Sequence, residues 1–384
     1  MSRGRVLVVG GGIGGLSTAI AVRNAGYDVH VVELHENVRS SVYGVGIIQP
    51  MNALRALDEI GCAQACLEAG YGAPGWSKIF DVDGRQLAEV PGMRLEGYDL
   101  PPMNGLTRPK LHEILTGTAL EAGVRIQYDA TFETLADGPD GVAVVFRDGS
   151  EGVYDVVVGA DGVRSKVRSY VLGPDLQPEY IGQKAFRVTI PRLPEIDRIV
   201  LQEGPKEPGE PFLMAGFVPI APDLAYMFLN TPWPDREVRP DPSTLHEVMR
   251  DLLTPFGGLA GHVRDTYLTD PEAIVLRPEE FLIAPPPWHR GRIVLIGDAV
   301  HAVTPHLGQG AAQAIEDGIV LAQELAAHDD LETAFTRYTE RRYERCRLVV
   351  ESSAQLGRWQ IAPTPDADHA GLTRAVLASM AQPI

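Results

Sequence analysis

Three glycines near the start of the chain, Gly10, Gly12 and Gly15, follow the pattern Gly-x-Gly-x-x-Gly between an apolar run and a helical pattern. Glycines in this context let the backbone approach a pyrophosphate closely, and the free N–H groups of the helix N-terminus face the phosphates. Glu33 ends the next apolar run, where a carboxylate can accept hydrogen bonds from a ribose diol. The spacing predicts a dinucleotide site and does not by itself separate NAD from FAD. A glycine-rich turn beside a surface carboxylate is the alternative.

Two later motifs also place an aspartate at the end of a predicted strand. In the first, Asp161-Gly162 follows an apolar run, and Ser165 is placed to cap a short helix. In the second, Gly297-Asp298 precedes a glycine-rich segment that leads into a helix. Such an aspartate can hold a ribityl hydroxyl group, and a glycine-rich helix start can stabilise negative charge on a reduced flavin. The three motifs in this order form a strong cofactor-binding pattern.

The elements that must position these motifs alternate between strands and helices. Short β-branched runs predict the strands, and apolar residues at helical spacing predict the helices. The predicted strands span 5–9, 28–32, 124–128 and 292–296, with a hairpin-like pair at 142–146 and 154–158. The predicted helices span 13–24, 51–60, 109–122, 310–327 and 331–356. From 181 to 270, prolines cluster and strand-like runs follow one another, with one helix at 243–253.

These patterns predict an α/β protein of two domains, because the chain is longer than one compact core usually supports. One domain is Rossmann-like, binds the nucleotide and is discontinuous; the other is mainly β and binds the substrate. The predicted boundaries are 1–72, 104–180 and 271–330 for the first domain, 73–103 and 181–270 for the second, 331–358 for a C-terminal helix and 359–384 for a tail. We expect the proline-containing tail after Ile361 to be poorly ordered.

The overall composition limits the partners and the compartment. The 384 residues carry 34 Lys and Arg against 51 Asp and Glu, a formal net charge of −17, so nucleic acid is a poor partner. The uncharged stretch at 6–22 resembles a signal peptide, but five glycines interrupt it and no Ala-x-Ala cleavage site follows. It is also short for a membrane span, and three cysteines are too few for a disulfide framework. We therefore expect a cytoplasmic protein without membrane association.

From about Arg5 to Leu356 the chain resembles the flavin-dependent aromatic hydroxylases of the para-hydroxybenzoate hydroxylase fold, which are class A flavoprotein monooxygenases. The resemblance rests on the three motifs and their order. It implies a Rossmann-like FAD-binding domain with one bound FAD. The residues implied to hold the pyrophosphate are Gly10, Gly12, Ile13 and Gly15; Glu33 and Leu34 take the adenosine ribose, and Thr131 backs the adenine. The resemblance implies that Asp161 contributes to binding both FAD and the pyridine nucleotide, and that Asp298 binds the ribityl chain. The residues implied to lie beside the flavin ring are Val45, Gly46, Arg108, Leu307, Gly308, Gln309, Gly310 and Ala311.

The family reaction uses NADH or NADPH to reduce FAD. Oxygen then adds to give a C4a-hydroperoxide, whose distal oxygen an electron-rich ring attacks. The resemblance thus implies a small phenolic or heteroaromatic substrate, O2 and a transient pyridine nucleotide as partners. Deprotonating a phenol makes its ring more nucleophilic, so a general base is expected near the flavin, and the ordinary pKa of histidine makes His306 the first candidate. The alternative is that His306 only orients the loop.

Other positions refine this interpretation. His301 belongs to the family's Gly-Asp-Ala-x-His signature and is interpreted as structural; no third ligand is spaced to form a metal site with it and His306. In the urate-hydroxylating branch an acid follows the loop proline and an arginine precedes the substrate-facing tyrosine by twelve residues. Here these positions are His306 and Met214, which argues against urate and favours the salicylate-type branch. Where many relatives have Gly-Gln-Gly-Ala-Asn, this chain has Ala312.

The second domain offers candidate substrate contacts. Tyr226 aligns with the tyrosine that relatives point at the substrate, although a buried strand can carry a tyrosine for packing alone. Arg187 could hold a substrate carboxylate or a neighbouring loop. Either an apolar aromatic pocket or an ordinary core could be formed by Phe186, Phe212, Phe217, Met227 and Phe228.

Several other functions would use the same FAD domain. A halogenase of this fold would carry a Trp-x-Trp motif, but the four tryptophans here are isolated. A flavoprotein reductase or dehydrogenase and a non-catalytic flavin-binding module are the alternatives, although a second domain and a histidine-bearing flavin loop exceed what cofactor binding requires. The sequence does not choose between NADH and NADPH, or between a monomer and a homodimer.

Overall fold

A computed structural model describes residues 2–37, 45–207 and 209–384. The strands are β1 (Arg5–Val9), β2 (Asp28–Val32), β3 (Gly46–Pro50), β4 (Tyr71–Ala73), β5 (Ser77–Phe80), β6 (Gln86–Val90), β7 (Met103–Thr107), β8 (Arg125–Gln127), β9 (Phe132–Gly138), β10 (Gly141–Phe146), β11 (Glu151–Tyr154), β12 (Val156–Gly159), β13 (Glu179–Pro191), β14 (Ile199–Glu203), β15 (Met214–Pro219), β16 (Leu224–Pro232), β17 (Val275–Phe281), β18 (His289–Arg290) and β19 (Ile293–Leu295). The α-helices are α1 (Ile13–Asn24), α2 (Met51–Glu59), α3 (Ala63–Ala69), α4 (Arg108–Glu121), α5 (Lys166–Leu172), α6 (Leu245–Leu252), α7 (Gly258–Tyr267), α8 (Gly310–Ala327), α9 (Leu331–Ile361) and α10 (His369–Ala381). Within the described ranges, none of these helices combines the length and the apolar character needed to cross a membrane.

The first large sheet has the strand order β18-β19-β12-β1-β2-β8 and is parallel except for the short β18–β19 pair. Its central strands are buried apart from the first residues of β1 and β2, and α1 packs against α4 and α8. Val9 at the end of β1 lies opposite Gly159 at the end of β12, which in turn lies opposite Leu295 at the end of β19. The three glycine and aspartate motifs therefore leave the sheet side by side at its carboxyl edge, as the predicted Rossmann-like fold requires.

The predicted hairpin at 142–146 and 154–158 is correct only in part. Val142 pairs with Tyr154 in an antiparallel hairpin, but Val156 pairs with Val6 in the parallel sheet. Asp155 separates the two partners: its backbone N–H donates to Arg5 O at 2.8 Å, and its carboxylate accepts from Arg5 N–H at 2.7 Å. The predicted strand at 154–158 thus contributes to two sheets, which periodicity alone does not reveal.

The second large sheet has the order β17-β13-β16-β15-β14-β5-β6 and is antiparallel except for the β14–β5 pair. Alternation along β16 turns Tyr226 and Phe228 toward a cavity, while Met227 joins the buried core beneath α6 and α7. Phe186 and Phe217 belong to the same core and are fully buried. Of the aromatic pocket considered from the sequence, only Phe228 lines this cavity.

The expectation of a poorly ordered tail is wrong. Residues 369–381 form α10, which begins with the Asp368 carboxylate accepting from Gly371 N–H at 2.7 Å. Leu377 is buried against the rest of the molecule, and the Arg345 guanidinium donates to the carbonyls of Ser379 and Met380 at 3.1 and 2.8 Å. Pro363 and Pro365 lie in the link before this helix and Pro383 lies after its end, so no proline interrupts it.

Candidate active site

The first glycine turn is built for close backbone approach. Gly10 has φ +111°, and a Cβ there would lie 2.3 Å from Ala160 O; a Cβ on Gly15 would lie 2.0 Å from Gly10 O. At Gly12 a Cβ would meet nothing within 4 Å, because this residue faces the open cleft together with Ile13. No side chain of the described residues caps α1 at this end, so its first N–H groups are free to bind phosphate.

Glu33 is held rigidly beside this turn. Its carboxylate accepts from Gly11 N–H at 2.7 Å and from His35 N–H at 3.0 Å. Leu34 next to it is 48% exposed, and Thr131 lies alongside because Ala130 N–H donates to Glu33 O at 2.9 Å. The three residues assigned by resemblance to the adenosine half of FAD are thus brought together, although their roles stay predictions.

Some residues of the Asp161-Gly162 motif stabilise the start of α5, and others line the cleft. Ser165 caps α5, as predicted, and the Asp161 carboxylate accepts from the N–H groups of Lys166 and Val167 at 2.7 and 3.1 Å. Ala160, Gly162 and Val163 line the cleft instead. In this geometry Asp161 shapes the cleft by fixing the turn.

The Gly297-Asp298 motif presents its carboxylate to the same cleft. Asp298 is exposed there, while Gly297 has φ +58° and its N–H donates to the buried Asp317 carboxylate at 2.8 Å. Arg168 links this motif to the preceding one, since its guanidinium donates to the carbonyls of Ala299 and Val163 at 3.1 and 3.0 Å.

The glycine-rich loop is fixed by side chains so that its backbone faces the cleft. Gln309 exchanges hydrogen bonds with Asn52 of α2 at 3.1 and 3.2 Å. Gly308 adopts φ +61°, which favours glycine. Gly310 and Ala311 line the cleft beside them, whereas Leu307 and Ala312 are fully buried. Ala312 therefore brings no polar side chain to this loop.

Together these elements form an open cleft of about 1610 Å³. It is lined by residues of all three motifs and by Val45, Gly46 and Arg108; the sequence resemblance extends to Tyr43, just before Val45, which lies outside the described residues. A glycine cradle, a free helix N-terminus and an exposed aspartate are the groups that a pyrophosphate and a ribityl chain need. The residues present therefore fit FAD.

A second cavity of about 880 Å³ adjoins the cleft and shares Ile48, Arg187, Tyr226, Pro305 and Gly308 with it. The second cavity is mostly apolar. Its other lining residues include Trp76, Ile79, Val90, Ile199, Leu201, Met214, Phe228 and Leu356, with His369, Ala370 and Thr373 from α10.

Tyr226 stands at the junction of the two spaces. A Cβ on Gly46 would lie 2.4 Å from the Tyr226 ring, so the absence of a side chain at Gly46 lets β3 approach it. Burial raises the pKa of Tyr226, and the positive charges of Arg187 and Arg108 oppose that rise. Burial, with the nearby charge of Arg187, lowers the pKa of Arg108. Two arginines thus concentrate positive charge where the cofactor cleft meets the apolar cavity.

His306 lines the apolar cavity, but both its ring nitrogens already have partners. Nδ1 lies 3.1 Å from Thr304 Oγ1, and Nε2 lies 3.1 Å from Gln183 Oε1. The ring also lies against α9, since a Cβ on Gly357 would be 2.7 Å from it. Burial lowers the pKa of His306 to about 4, so the ring is neutral near pH 7. The structure places this histidine at the predicted site and leaves its role as base a prediction.

His301 belongs to a different cluster. Its Nε2 lies 2.5 Å from Asp317 Oδ2, and the Arg342 guanidinium donates to Asp317 Oδ1 at 2.8 Å. Cys346 Sγ completes a group of three potential metal ligands with this pair, but Arg342 also donates to that sulfur at 3.4 Å. The Arg342 guanidinium therefore already balances the negative charge of Asp317 in this cluster. This arrangement agrees with a structural interpretation of His301.

Sequence reasoning missed several residues that shape the site. His112 of α4 holds the first glycine turn, with Nε2 2.7 Å from Gly11 O; it lies one helical turn after Arg108, a spacing that could have indicated a shared face. His369 of α10 was assigned to the tail. Glu279 on β17 lines the cofactor cleft, and no motif in the sequence marks it.

Comparison with known proteins agrees with this geometry. The family described as FAD binding domain matches residues 3–353. The aurachin C monooxygenase/isomerase of Stigmatella aurantiaca is 32% identical over 366 residues, 93% of this chain and 90% of that protein. The 6-hydroxynicotinate 3-monooxygenase of Pseudomonas fluorescens is 31% identical over 354 residues, 90% of this chain and 89% of that protein. The crystal structure of Klebsiella pneumoniae HpxO with FAD and uric acid has a TM-score of 0.80 at 23% identity, covering 98% of this chain and 92% of that one.

Proposed function

The chain belongs to the FAD binding domain family and is a flavoprotein monooxygenase, and from this premise we propose that it hydroxylates a small phenolic or heteroaromatic ring with NADH or NADPH and O2 as co-substrates. The observation that carries the proposal is the contiguity of the two spaces. The apolar cavity shares Tyr226, Arg187 and Gly308 with the cofactor cleft, so a flat ring held there would lie against the flavin.

The chain's own residues suit such a ring. The apolar walls exclude water, and the charges of Arg108 and Arg187 at the junction stabilise a ring hydroxyl group in its anionic form. An anionic ring is richer in electrons and reacts more readily with an electrophilic oxygen. When bound, FAD supplies the redox chemistry that activates O2; the protein binds the ring, orients it and helps to remove its proton.

The similar proteins support a heteroaromatic substrate class. One is named for oxidising 6-hydroxynicotinate, a pyridine, and another for acting as an aurachin C monooxygenase/isomerase. Their names identify their own reactions, and a mostly apolar cavity beside a cationic junction is compatible with a ring of this type. Met214 and His306, which replace the arginine and the acid of the urate branch, both line this cavity.

The test is product formation with labelled oxygen. Phenols, hydroxybenzoates and hydroxypyridines are incubated with the FAD-loaded enzyme and NADH or NADPH under ¹⁸O2, and products are analysed by mass spectrometry. We expect one ring to accelerate NAD(P)H oxidation and to acquire one labelled oxygen atom. A hydroxylated product whose new oxygen atom is unlabelled, and so comes from water, would contradict the proposal. NAD(P)H oxidation without any hydroxylated product, the behaviour of a reductase, would contradict it too.

A further inference from the structure

We propose that Glu279 is a catalytic residue of this site: its carboxylate accepts the proton of the substrate's ring hydroxyl group, and His306 lies beside it as a structural neighbour. The inference rests on the proposed function and assigns the proton to a residue other than the histidine favoured by the sequence.

Glu279 lies where such a proton acceptor is needed. It is on the edge strand β17, only 3% exposed, and it lines the cofactor cleft near the shared wall with the apolar cavity. Its Oε2 is 3.6 Å from Nε2 of His306, which lines that cavity. The separation exceeds a hydrogen bond, so the imidazole is beside the carboxylate without occupying it.

The carboxylate also has unused hydrogen-bonding capacity. Among the described residues, no donor reaches either oxygen of Glu279. A buried carboxylate without donors is costly and uncommon in folded proteins, because desolvation is not offset. A substrate hydroxyl group entering the junction would supply the missing donor. The arrangement is therefore explained by a ligand, whereas it weakens the fold when the site is empty.

The surrounding charges set when Glu279 can accept a proton. Arg187 and Tyr180 face it from β13, and His306 faces it from the turn at 305–307, whereas Glu280 is paired with Arg164 and Arg236 at 2.6 and 2.9 Å. Burial raises the pKa of Glu279 to about 7, opposed by the positive charge of Arg187.

His306 is the weaker acceptor under the same conditions. Burial lowers its pKa to about 4, and Thr304 and Gln183 already engage both ring nitrogens. A general base is most effective when its pKa lies near the working pH, a condition that Glu279 meets and His306 does not.

The proposed step is a single proton transfer. The O–H bond of the ring hydroxyl group breaks, an O–H bond to a Glu279 oxygen forms, and the electron pair stays on the ring oxygen. The negative charge moves from the carboxylate to the ring, where the guanidinium of Arg187 stabilises it. Nothing is oxidised or reduced in this step, and Glu279 returns the proton to solvent before the next turnover.

The first test is single-turnover hydroxylation by FAD-loaded wild type, Glu279→Gln and Glu272→Gln, using the best ring of the phenol and hydroxypyridine panel. Glu272 precedes the same strand, is exposed and undergoes the same chemical change, so its variant should match wild type. Glu279→Gln should retain FAD and flavin reduction but lose about 10²–10⁴-fold in hydroxylation rate. The deficit should shrink at alkaline pH as the substrate ionises in solution, a rescue that loss of packing would not give.

The second test needs no substrate. Infrared spectra of the wild-type holoenzyme should show the C=O band of a protonated carboxyl group that disappears between about pH 6 and about pH 8. Glu279→Gln should lack this titration, and if that variant does not fold, Glu279→Asp should shift it. Absence of the titrating band in wild type overturns the inference.

The outcomes separate the two proposals. Hydroxylation by wild type with an equal rate in Glu279→Gln overturns the role of Glu279 alone. A wild-type enzyme that hydroxylates no ring of the panel overturns the proposed function, and the proton-transfer step with it.

Discussion

Two clusters of ionisable side chains are buried in this protein, and they differ in how completely their charges are paired. On α8 and α9, the Arg342 guanidinium donates to Glu316 at 2.6 Å and to Asp317 at 2.8 Å, and Arg345 adds two further contacts to Glu316 at 2.8 Å. His301 completes this scaffold cluster through Asp317. Each carboxylate has several donors, and the positive charges lower the pKa values of Glu316 and Asp317 despite their burial.

The site cluster, Glu279, His306 and Arg187, has the opposite character. The Glu279 carboxylate has no donor among the described residues, and its pKa is raised; the neutral His306 lies 3.6 Å away. Arg187 faces both cavities.

The contrast shows what separates a structural buried charge from a reactive one. Desolvation penalises both clusters, but in the scaffold cluster the penalty is offset by charge-assisted hydrogen bonds. In the site cluster it is left partly uncompensated, which keeps a carboxyl group able to exchange its proton near neutral pH.

Breaking the scaffold cluster should have the largest effect on stability. Arg342→Met leaves two buried carboxylates short of donors, so we expect a loss of about 3–5 kcal/mol in the free energy of unfolding. Arg347→Met is the matched control on the same helix, because Arg347 makes exposed contacts with Glu344 and Glu351 and should cost little. Urea unfolding of both variants measures the difference. Equal losses in the two variants would contradict this expectation. They would show that burial and charge pairing at Arg342 contribute no more to stability than the exposed contacts of Arg347.

The pH dependence of stability should have opposite signs in the two clusters. The pKa of Glu279 is raised from 4.5 to about 7, so the folded state holds this proton more tightly and stability falls as pH rises through that window. Glu279→Gln removes the penalty and should be more stable than wild type by up to about 3 kcal/mol near pH 8, with little difference near pH 4.

Glu316 provides the contrasting case. Its pKa is lowered by Arg342 and Arg345, so its contribution is present above the ordinary glutamate range and is lost on acidification. Glu316→Gln should therefore destabilise the protein at pH 8 and approach wild type in acid. Melting temperatures across pH measure both variants. A Glu279→Gln variant that is destabilised at pH 8, as Glu316→Gln should be, would contradict the distinction drawn here.

Asp298 and His301 come from one short motif and serve different regions, which permits a finer test. Asp298 is exposed in the cofactor cleft, so Asp298→Ala should weaken FAD binding by about 10- to 100-fold, the equivalent of one charge-assisted hydrogen bond. Melting of the FAD-free protein should barely change. The measurement is flavin content after dialysis, with Asp298→Asn, which keeps an acceptor, as the milder variant. Unchanged FAD affinity in Asp298→Ala would remove this residue from the cofactor site.

The cofactor half of the fold was predictable because its signals are local. The turn at Gly10 and the helix that starts at Ile13 are determined by neighbouring residues in the sequence. Their place at the sheet edge follows from how parallel strands pair. Ser165 likewise caps the helix that follows it. What the sequence could not supply was the division of the apolar run at Asp155, because both halves have the same periodicity and only the partner strands differ.

The site cluster and α10 depend on contacts between distant segments. Burial of Glu279 is decided by the turn that carries His306 and by β13, none of which lies near it in the chain. The order of α10 depends on Arg345 of α9 and on apolar burial, while composition favoured a loose tail. His306 was found by its place in the loop, but the partners that engage its nitrogens, such as Gln183, could be seen only in three dimensions.

The smallest predicted effect separates the two members of the site cluster directly. If His306 is only a structural neighbour of the Glu279 carboxylate, His306→Ala removes its hydrogen bonds to Thr304 and Gln183 but leaves the proton acceptor in place. We then expect a loss of about tenfold in single-turnover hydroxylation, the equivalent of one ordinary hydrogen bond, with FAD binding and flavin reduction largely intact. The loss should be similar at every pH, because no base has been removed.

If His306 is itself the base, as the loop position suggests from the sequence, the loss should instead reach about 10²–10⁴-fold and should shrink as rising pH ionises the substrate. Stopped-flow measurements on His306→Ala beside Glu279→Gln therefore rank the two residues: the variant with the larger, pH-rescued loss identifies the group that takes the proton.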